Sequence, residues 1–124
     1  MIWRMRLSVV IVDDDPAFLA LAGRILADLG VEVLGTAADA AQGLAAVQDS
    51  RPEAVLVDIG LPDRDGIDLA YELLELPWGP RVVLTSSDSE AFVAGERRHA
   101  RRRLPFIPKV ELASDSLRLA LMAG

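Results

Sequence analysis

The sequence is defined first by what it lacks. It contains no cysteine, one histidine and few aromatic residues, 5% of the chain. Without cysteine there is neither a disulfide scaffold nor a thiolate metal site. Positive charge is in deficit, with 13 Lys+Arg against 19 Asp+Glu and a formal net charge of −6. That balance argues against nucleic acid as the main partner. Long apolar runs are missing too: none approaches the ~18 residues needed to span a bilayer. The short basic opening, Met1 to Arg6, followed by apolar Leu7 to Val12, imitates a signal peptide only loosely. Its apolar run is short, and Asp13, Asp14 and Asp15 follow at once. A cytoplasmic protein with no membrane association is expected. No repeat, low-complexity segment or second domain interrupts the chain.

What is present suits a folded domain. The chain has 124 residues, 52% hydrophobic and 26% charged. That length fits one domain, with roughly two-thirds of the unfolded surface buried on folding. Short apolar runs alternate with helical patterns. Val9–Val12 is β-branched and ends on carboxylates, as a strand buried on both faces would. Asp15 and Pro16 can open a helix in which Phe18, Leu21, Ala22, Ile25, Leu26 and Leu29 form one apolar stripe. Gly30 stops it. Val31–Leu34 is a second strand, and Asp39 caps a helix over Ala40–Gln48, broken at Arg51–Pro52. Ala54–Val57 is a third strand, ending on Asp58. Gly60, Pro62 and Gly66 mark a loop before a helix holding Ile67, Leu69, Ala70, Leu73 and Leu74, stopped by Pro77. Val82–Leu84 is a fourth strand, leading into Thr85 and Ser86. Ser87 or Asp88 caps a fourth helix reaching Arg102. Phe106–Ile107 is a fifth strand, followed by Lys109. Ser114 caps a last helix with Leu117, Leu119, Ala120 and Leu121. Five strands alternating with five helices imply right-handed crossovers and a parallel sheet with helices on both faces.

Polar residues gather just past the strand ends: Asp13 and Asp14, Asp58, Thr85 and Lys109. In an open parallel sheet those ends form one cleft. Three carboxylates brought together resist ionising together unless a cation joins them. Oxygen ligands without His or Cys suit Mg²⁺, or alternatively Mn²⁺. A carboxylate nucleophile, a hard divalent ion, a lysine and a hydroxyl make a set suited to phosphoryl transfer.

At these residues the chain resembles a family, the receiver domain of two-component response regulators. The resemblance is carried by Val-Asp-Asp-Asp-Pro at 12–16, Asp-Ile-Gly-Leu-Pro-Asp-Arg-Asp-Gly at 58–66, Leu-Thr-Ser at 84–86 and Phe-Ile-Pro-Lys at 106–109. It covers Val9 to about Leu121. It implies a single doubly wound, flavodoxin-like (βα)5 domain, with strand order 2-1-3-4-5, over 1–124. The ordered core is expected at about 7–122, with no output domain.

The resemblance further implies residue roles. Asp58 is the phosphoacceptor. Asp13 and Asp14, with Asp58 and the Gly60 backbone carbonyl, hold Mg²⁺. Thr85 is the switch hydroxyl, Lys109 pairs with a phosphoryl oxygen, and Phe106 is the aromatic switch. A sensor histidine kinase or phosphotransfer protein donates the group. An unidentified downstream protein reads the face around the fourth helix, fifth strand and fifth helix, which can also pair two copies. External substrate turnover is not expected. The alternative is a receiver-like interaction module that works without phosphorylation. A hydrolase with an aspartyl-phosphate intermediate ranks lower, because Gly60 stands where such phosphatases carry a second acid.

Other polar residues have plainer readings. Asp15, Asp63 and Asp65 are expected as solvated loop acids, Asp15 beside the site. His99 is read as a surface residue. Trp3 and Trp78 fall in end and turn regions, where packing and partner contact are both open. Arg97, Arg98, Arg101, Arg102 and Arg103 read as a solvated face or as a docking surface for an acidic partner. Two positions depart from the family pattern. Val110 stands after Lys109 where proline is usual, and the arginine-rich stretch replaces a small Ala-Gly turn.

Overall fold

A computed structural model of the chain describes residues 6–88 and 104–122. The strands are β1 (Ser8–Val12), β2 (Glu32–Ala37), β3 (Ala54–Asp58), β4 (Arg81–Ser86) and β5 (Phe106–Pro108). They form one five-stranded parallel sheet in the order β2-β1-β3-β4-β5. Helices α1 (Pro16–Asp28), α2 (Ala40–Ser50) and α3 (Gly66–Leu74), with a C-terminal helix (Ser114–Met122), cover the two faces. The expected fourth helix, with His99 and Arg97–Arg103, lies outside the described residues, as does Trp3. Among the described residues no helix is long and apolar enough to cross a membrane.

Strand alternation divides the core in two. Val10, Val12, Val55 and Val57 point to one face, where Val47 of α2 and Leu69 and Leu73 of α3 pack. Val9, Ile11 and Leu56 point to the other, against Phe18, Ala22 and Leu26 of α1 and Leu117 and Leu121 of the C-terminal helix. β1 and β3 lie inside the sheet with apolar residues on both faces, which explains their unbroken runs.

Local signals set most element ends. Asp15, Asp39 and Asp65 each accept a backbone N–H from the first turn of α1, α2 and α3 respectively. Asp65 is therefore a helix cap as well as a loop acid. β2 runs to Ala37 and not only to Leu34. As an edge strand it alternates, with Glu32, Leu34 and Thr36 exposed, so no apolar run marks its full length. Its pairing with β1 also skips a residue, Val9 facing Val33 and Val10 facing Gly35, which leaves Leu34 as a bulge. The last helix corrects a second expectation. Ser114 is its first residue, and the Ser116 hydroxyl, not Ser114, accepts the Ala113 N–H at 2.9 Å.

Glycines in α1 and α2 give a paired prediction. A methyl group at Gly23 meets nothing within 4 Å, whereas one at Gly43 comes 2.8 Å from the Val12 methyls. Gly23→Ala should therefore stabilise the fold by about 0.5–1 kcal/mol, through helix propensity alone. Gly43→Ala should lose more than that gain to the clash and come out destabilised. Urea denaturation of the two variants checks the opposite signs.

Candidate functional site

The sheet register builds the site. Val12 pairs with Val57, Asp58 with Thr85, and Ser86 with Pro108. The residues at or just beyond these pairs, Asp13, Asp58, Thr85 and Lys109, therefore lie in a row across the carboxyl ends of four strands. Asp14 joins them from the β1–α1 turn.

Asp13 is fully buried and Asp58 nearly so, while Asp14 is exposed. One carboxylate oxygen from each lies within 4.8 Å of the others. Lys109 reaches in from the start of a 3₁₀ turn (Lys109–Glu111). Its Nζ lies 2.8 Å from Asp13 Oδ2 and 3.5 Å from Asp58 Oδ2. The same ammonium stands 4.5 Å from the centre of the Phe18 ring.

Backbone groups fix the carboxylates. Asp13 Oδ1 accepts the Asp15 N–H at 2.9 Å, and Asp58 Oδ1 accepts the Gly60 N–H at 3.2 Å. Asp13 Oδ2 has the Lys109 ammonium as its close partner. Three carboxylates brought this close favour a further cation, and the oxygen donor set suits a hard divalent one. Asp13, Asp14 and Asp58 could hold such an ion.

The charges act on one another. Burial, then the charge of Asp13, pushes the Asp58 carboxyl above its ordinary value of 3.8, against the opposing Gly60 N–H and Lys109. For Lys109, burial works against the charge. The contact with Asp13 and the charge of Asp58 outweigh it and hold the amine above its ordinary 10.5. Lys109 therefore stays charged at neutral pH.

Thr85 is fully buried, and its hydroxyl points to the Val57 carbonyl at 3.5 Å, longer than a firm O–H···O bond. Phe106, paired across the sheet with Leu84, is half-buried against the α2–α3 side of the core. Gly60 sits in the β3–α3 loop, two residues past Asp58. Val110 is 92% exposed, and no cis peptide occurs among the described residues, Lys109–Val110 included. Trp78 is used in packing: its Nε1–H donates to the Pro52 carbonyl, and the Arg51 guanidinium lies 5.2 Å over its ring.

Three features escaped the sequence reading. Phe18 was legible only as a core position of α1. Gly66 marked a loop, but its Cβ position lies 2.1 Å from the Asp58 carbonyl oxygen, so α3 starts hard against the end of β3. Asp63 is not a free loop acid. Its two carboxylate oxygens accept the Ala40 and Ala41 N–H groups, at 2.8 and 3.0 Å. It thus ties the loop carrying Gly60 to the first turn of α2. No local signal marks such a contact, since the partners are 22 and 23 residues away.

The Asp63 contact predicts a pH effect. The Ala40 N–H chiefly holds the carboxyl below its ordinary 3.8, against an opposing cost of burial and with the Ala41 N–H adding to the effect. A carboxyl depressed in the fold adds stability above its unfolded value and loses it as pH falls through the folded one. Asp63→Ala should therefore lower the thermal midpoint at neutral pH. The gap to the wild type should close as the pH is taken below 3.8, and a gap constant with pH would exclude this origin.

A doubly wound parallel α/β domain with buried acids, a hydroxyl and a lysine at its carboxyl edge defines a class, the flavodoxin-like signalling domains. The chain belongs to the response regulator receiver domain family, whose model matches residues 9–104. Among curated relatives it is 35% identical over 120 residues to the DNA-binding response regulator MtrA of Mycolicibacterium smegmatis, covering 93% of this chain and 51% of that one. It is 32% identical over 95 residues to an uncharacterized response regulatory protein of Vibrio cholerae, covering 75% of this chain and 36% of that one. The chain thus spans less than two-thirds of either relative. Among solved structures it is similar to a CheY-like receiver domain protein from Methanospirillum hungatei, with a TM-score of 0.75 and 28% identity, over 93% of this chain and 90% of that one. It is also similar to the response regulator PhyR from Brucella abortus, with a TM-score of 0.79 and 26% identity, over 97% of this chain and 49% of that one. The chain is thus a receiver domain of two-component signalling.

Proposed function

We propose that residues 1–124 form a cytoplasmic phosphoacceptor switch, in which Asp58 takes a phosphoryl group from a histidine kinase or phosphotransfer protein. The observation that carries this reading is the row of Asp13, Asp58 and Lys109, with the ammonium 2.8 Å and 3.5 Å from the two carboxylates. In the reaction an Asp58 carboxylate oxygen attacks phosphorus, a P–O bond forms, and the P–N bond to the donor imidazole breaks. The electron pair and a proton go to the imidazole. Lys109 stands where its charge meets a phosphoryl oxygen as negative charge builds there.

Asp13, Asp14 and Asp58, with the Gly60 carbonyl, would hold Mg²⁺ or Mn²⁺, which supplies charge neutralisation at the phosphoryl oxygens. Ionised Asp58 is the nucleophile, and burial beside Asp13 resists that ionisation. Lys109 and the Gly60 N–H oppose the penalty from this chain's own groups.

Thr85 supplies the response. Its hydroxyl is loosely held at 3.5 Å, so new acceptor oxygens on Asp58 can draw it away from Val57. Phe106, half-buried two positions beyond Leu104, then fills the space Thr85 leaves. Two packings a few kcal/mol apart would be re-weighted by such contacts. The surface around β5 and the C-terminal helix changes shape, for a downstream protein or a second copy to read.

The test is intact-mass measurement after treatment with acetyl phosphate, with Mg²⁺ and with chelator. One phosphoryl adduct is expected on the wild type with Mg²⁺, and none with chelator or in Asp58→Asn. An equal adduct on Asp58→Asn would overturn the assignment. An unmodified wild type that still binds its partner would favour the phosphorylation-independent module.

A further inference from the structure

Lys109 has a third neighbour besides the two carboxylates. Its ammonium stands 4.5 Å from the centre of the Phe18 ring, within the distance at which a cation is attracted to an aromatic face. Phe18 is only 6% exposed and belongs to the core on the α1 side, among Val9, Ile11, Ala22 and Leu26. The ring is therefore a fixed plate. It begins on the first turn of α1, anchored by the Asp15 cap and Pro16. Lys109, by contrast, rides on a short 3₁₀ turn without a side-chain cap, next to the fully solvated Val110.

We propose that Phe18 is a positioning residue for phosphoryl transfer, its ring face holding the Lys109 ammonium over Asp58.

A lysine side chain has four rotatable bonds and a strongly hydrated head, so holding it at one point carries an entropic cost. Asp13 attracts it, but that attraction weakens whenever the Asp13 charge is shared with another cation. An aromatic face carries no titratable charge and offers the ammonium no competing acceptor. Its attraction is the same whether Asp13 is engaged or not, and it is largest where water is excluded. Leucine or methionine at position 18 would also give the core an apolar side chain, yet would leave Lys109 tethered by carboxylates alone.

This inference rests on the phosphoacceptor reading, and the experiment separates the two. Phenylalanine 18 is replaced by its mono-, di- and trifluorinated forms, which keep the ring's shape and weaken its negative face stepwise. Phe18→Leu and Phe18→Tyr complete the series. The rate constant for phosphorylation by acetyl phosphate with Mg²⁺ should fall in step with fluorination, by about 3–10-fold at the end of the series. Phe18→Leu should fall at least as far, and Phe18→Tyr should retain the wild-type rate. The loss should lie in the maximal rate more than in the half-saturating acetyl phosphate concentration. Independently, the Lys109 Hε resonances should be shifted upfield by the ring in the wild type, with and without Mg²⁺, and return to ordinary values in Phe18→Leu.

A rate that is flat across the fluorinated series, in a wild type that phosphorylates, overturns the positioning role and leaves the phosphoacceptor reading intact. Ordinary Lys109 Hε shifts in the wild type overturn it on geometry alone. An upfield-shifted Lys109 in a protein that never takes up phosphoryl supports the contact while the phosphoacceptor reading fails.

Discussion

Lys109→Met is expected to slow phosphorylation of Asp58 by about 10²-fold or more, the scale seen when a donor aimed at developing oxyanion charge is removed. Methionine keeps the length and apolar stem of the side chain but not the charge. The variant should also be less stable without metal. Asp13 is fully buried and its Oδ2 would then have neither an ammonium nor a hydrogen-bond donor. Breaking a fully buried pair costs ~3–5 kcal/mol. Here ~2–3 kcal/mol is expected, because 16% of the lysine side chain already meets water and Asp58 can relieve the repulsion by taking up a proton. Added Mg²⁺ should raise the thermal midpoint of Lys109→Met more than that of the wild type, since a divalent ion there would replace a missing charge. Thermal melts in chelator and in Mg²⁺, beside intact-mass kinetics, check both effects. A variant as stable and as readily phosphorylated as the wild type would show that Lys109 is a bystander.

Gly66→Ala should be the most disruptive single methyl addition among the described glycines. Its Cβ would lie 2.1 Å from the Asp58 carbonyl oxygen, 2.7 Å from Ile59 Cα and 2.8 Å from Asp58 C. All three are backbone atoms, so no rotamer change relieves the clash. Either α3 moves away or the end of β3 does. The Gly66 N–H also donates to the Ile59 carbonyl at 2.9 Å, and that bond would be strained or lost. Overpacking of this kind costs ~1–3 kcal/mol and occasionally more, and a backbone-only clash belongs at the upper end, about 3 kcal/mol. Because the displaced backbone carries Asp58, phosphoryl uptake should fall along with stability. Urea denaturation and mass spectrometry report the two separately. A variant with wild-type stability would mean that the junction yields more easily than its contacts indicate. Gly43→Ala should be milder, since there the methyl meets only the Val12 side chain.

The sequence was a good guide wherever the cause is local. Apolar runs located β1, β3 and β4 because those strands are covered on both faces. Asp15 and Asp39 were legible as caps because a cap bonds within its own first turn. It was a poorer guide to β2, whose edge position permits Glu32 and Thr36. The last helix was a similar case, its start held by Ser116 reaching back to Ala113. The polar strand ends marked Asp13, Asp14, Asp58, Thr85 and Lys109 as one group, because parallel crossovers return every strand to the same edge. Nothing local marked Asp63, which looked like a solvated loop acid yet holds the N–H groups of Ala40 and Ala41.

The sequence by itself thus determined the βα alternation, the parallel sheet and the set of residues at its carboxyl edge. Periodicity, caps and strand-end polarity act over a few residues and survive in one dimension. Only the tertiary structure decided the distances that make that set a site. The Val12–Val57 and Asp58–Thr85 pairings align the row, and they depend on how both core faces pack around β3. The same packing sets Phe18 under Lys109, although the two stand 91 residues apart in the chain. It also sets Gly66 against Asp58. Contacts of that reach arise from strand register and helix docking, which no window of the sequence contains.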